Sequence, residues 1–381
     1  MRFIKFNVVF ILCSLLLIAQ EQTESTAITD SLLAIQIASQ MQQQVSVQPV
    51  APIVRVAPSI NPDISAIGDF RLSYSADGKR NVELYFNALE IQVTSVVDPY
   101  ASANFIFSFG KDSLNGDYSA GLEIATLTSL SLPYATQITL GKFKPHFTKV
   151  NILHPHAFSF VDFPTIIKNF FGDEGMFMEG ISASVLVPNP WDFFQEFKLE
   201  VGRAESNASL DNGINNVLLY SAHLDNFFEL TDNSTLNIGL STLTGPNALN
   251  KRTTIAGLDL TYKWKPVQFN TYHSFTWQTE GIICRSDTSS GNAVRSYGAY
   301  TLFEYQIEKR TFIGTRFDYS GLPGIEKSDE RTVSLLLRFQ PTEFQILALE
   351  FQTINRNYAP SFQQVVFRAI FGIGTHAAHA Y

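Results

Sequence analysis

Cysteine is almost missing from this chain: Cys13 and Cys284 are the two in 381 residues. Cys13 lies in an apolar stretch that reads as a leader, so a chain that has lost the leader keeps one thiol. It cannot brace itself with an intramolecular disulfide. Charge is also scarce, at 16% of residues, and acids outnumber bases for a net charge of −8. Such a balance offers no electrostatic footprint for nucleic acid. After the first twenty residues no apolar run reaches the length of a transmembrane helix, which excludes a helical membrane protein. Gly-x-Ser-x-Gly, His-Glu-x-x-His and phosphate-cradling glycine loops are missing too, so the expectation is a protein that is not an enzyme. Yet 45% of the residues are hydrophobic, too many for a disordered chain.

The N-terminus has Arg2 and Lys5 ahead of the apolar stretch Val8 to Ile18, followed by the small Ala19. This reads as a signal peptide over residues 1–19, its cleavage point weakly marked because Leu17 stands where a small residue is usual. Its removal takes away two bases and no acid, leaving about −10. Residues 20–58 read as a periplasmic segment: a polar helix through Leu32, Ile35, Ile37 and Val45, then a Pro/Val/Gln-rich linker. It is either a flexible tail or a small self-associating helix.

From residue 59 onward the sequence alternates. Apolar and polar residues take turns over segments at about 64–76, 82–97, 100–110, 119–131, 134–143, 177–187, 194–204, 216–229, 234–244, 251–264, 267–280, 293–307, 311–320, 331–339, 343–354 and 361–374. Tight junctions such as Asp98-Pro99, Leu132-Pro133, Lys265-Pro266 and Glu308 to Arg310 alternate with longer Gly/Asn/Ser/Asp-rich ones. Short turns on one rim and longer loops on the other predict an all-β chain, a transmembrane antiparallel β-barrel of roughly 16 strands with one long in-folded loop. Period two assigns Leu258, Leu260 and Tyr262 to lipid and Asp259, Thr261 and Lys263 to the lumen, with the same split around Arg71, Arg338 and Arg368. Alternation changes parity between Phe86 and Leu89, predicting a bulge near Asn87 to Ala88. Tyr100, Tyr134, Trp191, Trp264, Trp277, Tyr305 and Tyr319 fall at segment ends, as interfacial aromatics do. A secreted sandwich or solenoid would alternate as well; the leader, the gap rhythm and the aromatic C-terminus favour the barrel.

One connection, residues 144–176, is unlike the rest. It holds His146, His154-Pro155-His156, Phe158, Phe160, Asp162, Phe170-Phe171 and Gly172-Asp173-Glu174-Gly175. A segment this apolar must bury itself, either inside the barrel as a constriction or on the rim or a second subunit. Thr165 to Phe171 reads as a short helix within it. His154, His156, Asp162, Asp173 and Glu174 are the candidate constriction residues, facing Arg71, Arg316, Arg338 and Arg368 on the wall. These arginines either sustain a transverse field that sieves solutes or pair with Asp69, Asp318, Glu304 and Glu350. His154 and His156, with His376 and His379, are candidate ligands of a zinc ion.

The strings Leu140-Gly141-Lys142-Phe143, Asn151-Ile152-Leu153-His154-Pro155-His156-Ala157, Phe160-Val161-Asp162-Phe163-Pro164 and Phe170 to Gly175 resemble a family of Gram-negative outer-membrane porin-like proteins. Members are often labelled zinc-regulated TonB-dependent outer-membrane receptors. Asn61 to Ser65 and Gly374 to Tyr381 are similar to that family's termini, so the resemblance spans residues 60–381. It implies an outer-membrane barrel, with outer-membrane lipid and the barrel-assembly machinery as partners. An energy-coupled receptor, however, takes about 22 strands around a plug domain, for which this chain has no room. Passive passage of small hydrophilic solutes is therefore the expected function, with a metal-related uptake receptor and a non-conducting structural or adhesion barrel as the alternatives. The long loop's position also resembles the constriction loop of general diffusion porins, which implies a homotrimer.

Overall fold

The computed structural model describes residues 62–76, 81–111, 118–205, 209–210, 217–269 and 272–374. The readings of residues 1–58 and of His376 and His379 lie outside the described residues. Sixteen strands form the wall. The first eight are β1 (Asp63–Ser75), β2 (Asn81–Asp98), β3 (Ala101–Lys111), β4 (Tyr118–Ser129), β5 (Thr136–Phe143), β6 (Phe177–Leu186), β7 (Phe194–Glu205) and β8 (Leu219–Thr231). The others are β9 (Ser234–Pro246), β10 (Arg252–Trp264), β11 (Phe275–Asp287), β12 (Ala293–Glu308), β13 (Thr311–Gly321), β14 (Asp329–Thr342), β15 (Gln345–Arg356) and β16 (Phe362–Gly374). Each pairs antiparallel with its sequence neighbours, and β1 pairs with β16 to close the barrel. Closure leaves no unpaired edge, so the wall satisfies its own backbone, the condition for β-structure in a bilayer. The single α-helix among the described residues, α1 (Thr165–Phe171), is too short to span one.

Period two becomes a two-faced wall. Leu258, Ile283, Leu335 and Ile373 point outward, each more than half exposed, whereas the alternating Asp259, Thr261, Ser334 and Arg368 point inward. Exposed large apolar side chains recur around the circumference, which makes the outside a surface for lipid rather than water. Tyr100, Tyr134 and Trp191 stand out at the short-turn rim, and Trp277 stacks on Phe303 near the same end. Amphipathic rings suit the headgroup level. The bulge expected in the second strand is present: Asp69 pairs with Ala88 and Phe70 with Phe86, leaving Asn87 as the extra residue.

Two readings need correction. The eleventh strand, expected at 267–280, runs from Phe275 to Asp287; Val267–Phe269 is a 3₁₀ turn in a longer connection. The apolar residues around Phe269 alternate like a strand, but Lys265-Pro266 is followed by this turn, and Ile282, Ile283 and Cys284 extend the ladder beyond it. Cys284 accordingly lies in this strand, fully buried on the inner face. The gap rhythm is also shallower than the sequence suggests, since β9–β10 and β11–β12 are joined by connections as brief as 247–251 and 288–292. The outstanding connection is 144–176, between β5 and β6.

Candidate functional site

Segment 144–176 lies inside the barrel. Phe147, Val150, Phe160, Ile166, Ile167, Phe170 and Met176 are all fully buried. They form one cluster with inward side chains of the wall, among them Leu243, Ile255, Ile282, Tyr300, Leu302 and Leu336. Each such side chain gains about 1.5–3 kcal/mol on burial, comparable to the entropy cost of ordering a single residue. Helix α1 forms where expected, packs on β12, β13 and β14, and ends at Gly172, whose φ of 98° suits glycine. At the base, Asn151 ties the two ends of the segment together: its Nδ2 donates to Pro145 O and Met176 O, and its Oδ1 accepts from Met176 N. Gly175, at φ +80°, passes so close to Asn151 Oδ1 that a Cβ would sit 2.7 Å from it.

An irregular backbone inside a barrel must find partners for its amides. Here the wall supplies carboxylates. Glu200 of β7 accepts from His146 N, Glu280 of β11 from Val150 N at 2.9 Å, Asp318 of β13 from Thr165 N at 3.0 Å, and Glu350 of β15 from Val161 N at 2.6 Å. Carbonyls are met by arginines: Arg316 Nη1 donates to Asp162 O, and Arg368 donates to Phe160 O and Pro155 O. The sequence reading did not anticipate that Glu200, Glu280 and Glu350 would serve the segment's backbone, since their parity marks them only as lumen residues.

The four candidate arginines do face inward, and each has an acid. Asp69 is gripped by Arg71 at 2.9 Å and by Arg368 at 3.0 Å, although Arg71 and Arg368 stand directly opposite each other across β1 and β16. Like charges in that register repel, and Asp69 between them removes the penalty. Arg316 pairs with Asp318 at 2.8 Å and Arg338 with Glu304 at 2.7 Å. Asp162 reaches from the segment to Arg71 at 3.1 Å and to Lys168 at 3.6 Å. Burial alone would raise the Asp162 carboxyl, but Lys168, Arg71, Arg316 and Arg368 overcome it and hold the group well below the usual carboxylate range. Of the two readings of these charges, the geometry matches neutralised pairs that clamp the segment. Asp173 and Glu174 stay at the segment's solvent-accessible end, outside this clamp.

A separate polar cluster holds the histidines. His154 Nδ1 lies 3.1 Å from Glu90 Oε2 on β2 and 3.2 Å from Glu123 Oε2 on β4. His156 Nδ1 lies 3.0 Å from Glu90 Oε1, and the two imidazoles stack with centroids 5.6 Å apart. Two bulges aim the acids inward. The one at Asn87 sets the parity that brings Glu90 into the lumen, and a second leaves Glu123 as the extra residue between Ile106–Ile124 and Phe107–Leu122. Sequence parity alone hid Glu123, because the register shift is written in the pairing of β3 with β4. Burial would lower the His154 pKa, but Glu123 and Glu90 raise it overall. The donors that gather here, two carboxylates and an imidazole within 4.8 Å of one another, fit a cation; the expected partners His376 and His379 lie outside the described residues.

What the segment leaves free is a polar cavity of about 340 Å³ against β1, β2 and β16. Arg71, Ser73, Glu83, Tyr85, Asp162 and Gln364 border it.

No family model matches the chain. A protein of Aquifex aeolicus described as uncharacterized is 26% identical over 338 residues, covering 77% of this chain and 69% of that one. Solved structures with the same fold include the outer membrane channel DcaP of Acinetobacter baumannii, with a TM-score of 0.56, 10% identity, and 83% of this chain and 98% of that one covered. An anion-selective porin from Comamonas acidovorans gives 0.54 at 11% identity, covering 83% and 99%. The trimer form of OmpT, an outer membrane protein of Vibrio cholerae, gives 0.54 at 9% identity, covering 82% and 99%. Closed wall, lipid-facing belt and aromatic rim together make the chain a porin-like barrel of the outer membrane.

Proposed function

We propose that the barrel is a channel for passive passage of small hydrophilic solutes, narrowed by residues 144–176. The observation that carries this reading is the asymmetric filling of the lumen: the segment packs against the apolar wall and leaves a polar cavity beside β1, β2 and β16. Solutes would pass over Arg71, Tyr85, Glu83 and Gln364, with Asp162 on the facing segment. A lining of hydroxyl, amide and charged groups replaces part of a polar solute's hydration, whereas an apolar lining would exclude it. Assembly as a homotrimer belongs to this reading, on the likeness of fold to a barrel solved as a trimer.

The test is reconstitution of the purified barrel in a planar bilayer. Stepwise conductance is expected, and removal of Asn151 to Gly175 should enlarge the unit step several-fold. A second reading, a non-conducting structural barrel, draws on the hydrocarbon packed between Phe160, Phe170 and the wall. A silent wild-type barrel, with conductance gained only on removal of the segment, would favour that alternative. Uptake coupled to an energy source takes a barrel of about 22 strands, and this one closes with β1 to β16, so the receptor label does not enter the proposal.

A further inference from the structure

We propose that Glu90, Glu123 and His154 bind one divalent transition-metal cation, which staples segment 144–176 to β2 and β4. The proposal does not depend on whether the barrel conducts. Its first support is the donor geometry. His154 Nδ1 stands 3.1 and 3.2 Å from carboxylate oxygens of Glu90 and Glu123. A tetrahedron with bonds near 2.0 Å has edges of about 3.3 Å, so these separations are those of ligands sharing one ion.

The second support is what the protein itself leaves unsatisfied. Glu123 Oε2 and His154 Nδ1 make no hydrogen bond of acceptable geometry, although Glu123 is 8% and His154 9% exposed. The two atoms lie within ion-pair distance of each other, and His154 of Glu90, without a well-formed hydrogen bond, and coordination to one ion would satisfy both. The third is space. A cavity of about 20 Å³ is bordered by Glu90, Glu123, His156 and Glu174. That volume takes about one water beside the two carboxylates, on a side that His154 does not line. One nitrogen and two oxygens suit zinc, manganese or cobalt and give no purchase to thiophilic copper(I).

Nearby cations are already engaged. Lys144 Nζ donates to Leu153 O and Glu174 O, and its ammonium lies over the rings of Phe163 and Phe177. Glu90 and Glu123 thus face two imidazoles, His154 and His156, and a dication held by Glu90, Glu123 and His154 balances the two acids with both rings neutral. An imidazolium at His154 is the competing arrangement, and it binds no metal.

The experiment uses the full barrel in detergent, stripped with chelator and titrated with Co²⁺ and then Zn²⁺. One equivalent of Co²⁺ should give the visible bands of a four- or five-coordinate N/O site, discharged by Zn²⁺. Glu123→Gln and His154→Gln should each weaken binding by more than about 100-fold, beyond what loss of a mere supporting partner costs. His146→Gln, whose imidazole sits on Glu200, should bind like wild type, and so should the double variant His376→Ala/His379→Ala. Heat-modifiable gel migration checks that each variant has folded. Zinc should also slow proteolysis of the wild-type segment, a readout that needs no variant. Failure of the wild type to bind, equal affinity in folded Glu123→Gln, or binding lost only in the His376/His379 variant would each overturn the site.

Discussion

The lumen has two sectors built on opposite principles. Along β8 to β12 the inner face carries a hydrocarbon stripe, with Leu219, Leu243, Ile255, Ile282 and Leu302 clustered with the phenylalanines of the inward segment, set among polar positions such as Asp259, Thr261 and Glu280. Along β16, β1 and β2 it is charged and hydroxylated, with Arg368, Asp69, Arg71, Ser73 and Glu83, and a cavity remains. The same strand geometry supports both, so the difference lies in which side chains occupy the inward positions. Apolar inward positions give the segment a place to settle; polar ones keep it at a distance bridged by ion pairs. An eccentric cavity follows from that asymmetry with no need for a narrower barrel.

The comparison is broken most sharply by thiol accessibility. Cys284 lies fully buried in the apolar sector and should resist a water-soluble maleimide in the folded barrel. Ser73→Cys in a Cys284→Ser background should be labelled to completion; equal reactivity of the two thiols would mean that the sectors do not differ. Packing is next. Phe160→Ala removes a fully buried ring and should cost about 3–5 kcal/mol in urea unfolding, with noisier conductance as the segment loosens. Arg368→Met should cost about 3 kcal/mol, the lower end for breaking a buried pair, because Arg71 still neutralises Asp69.

Acid should loosen the clamp through Asp162. The Asp162 pKa lies below its unfolded value, so the ionised form stabilises the fold above the ordinary carboxylate pKa, and the contribution is lost as pH falls through the folded one. Protection of the segment from proteolysis should hold from neutral pH to about pH 4 and fade only below it; loss already near pH 6 would contradict the assignment to Asp162. The smallest stability change belongs to the polar sector. Glu83→Lys, at an exposed site on the cavity, should alter stability by no more than about 0.5 kcal/mol while shifting ion selectivity toward anions in reversal-potential measurements.

Much of this was legible in particular residues. The parity of Leu258, Asp259, Leu260 and Thr261 gave the wall its faces, and the clash of parity across Phe86 and Leu89 marked the first bulge. The phenylalanines of 144–176 announced a buried segment. Strand β11 was misplaced because periodicity cannot distinguish a short alternating connection from a ladder until the partner strand is known. Glu123 was hidden for the same reason, since its direction depends on a register shift opposite β3.

By itself, then, the order of residues determined a closed, lipid-facing, antiparallel wall and one segment too apolar for water, because period two and hydrophobic burial are local rules. Only the tertiary structure decided that Arg71 and Arg368 share Asp69, that wall carboxylates receive the segment's amides, and that His154 meets Glu90 and Glu123. Apart from the neighbours Asp69 and Arg71, those partners lie far apart in the chain, and their meeting is set by barrel closure and by register shifts that no local pattern contains.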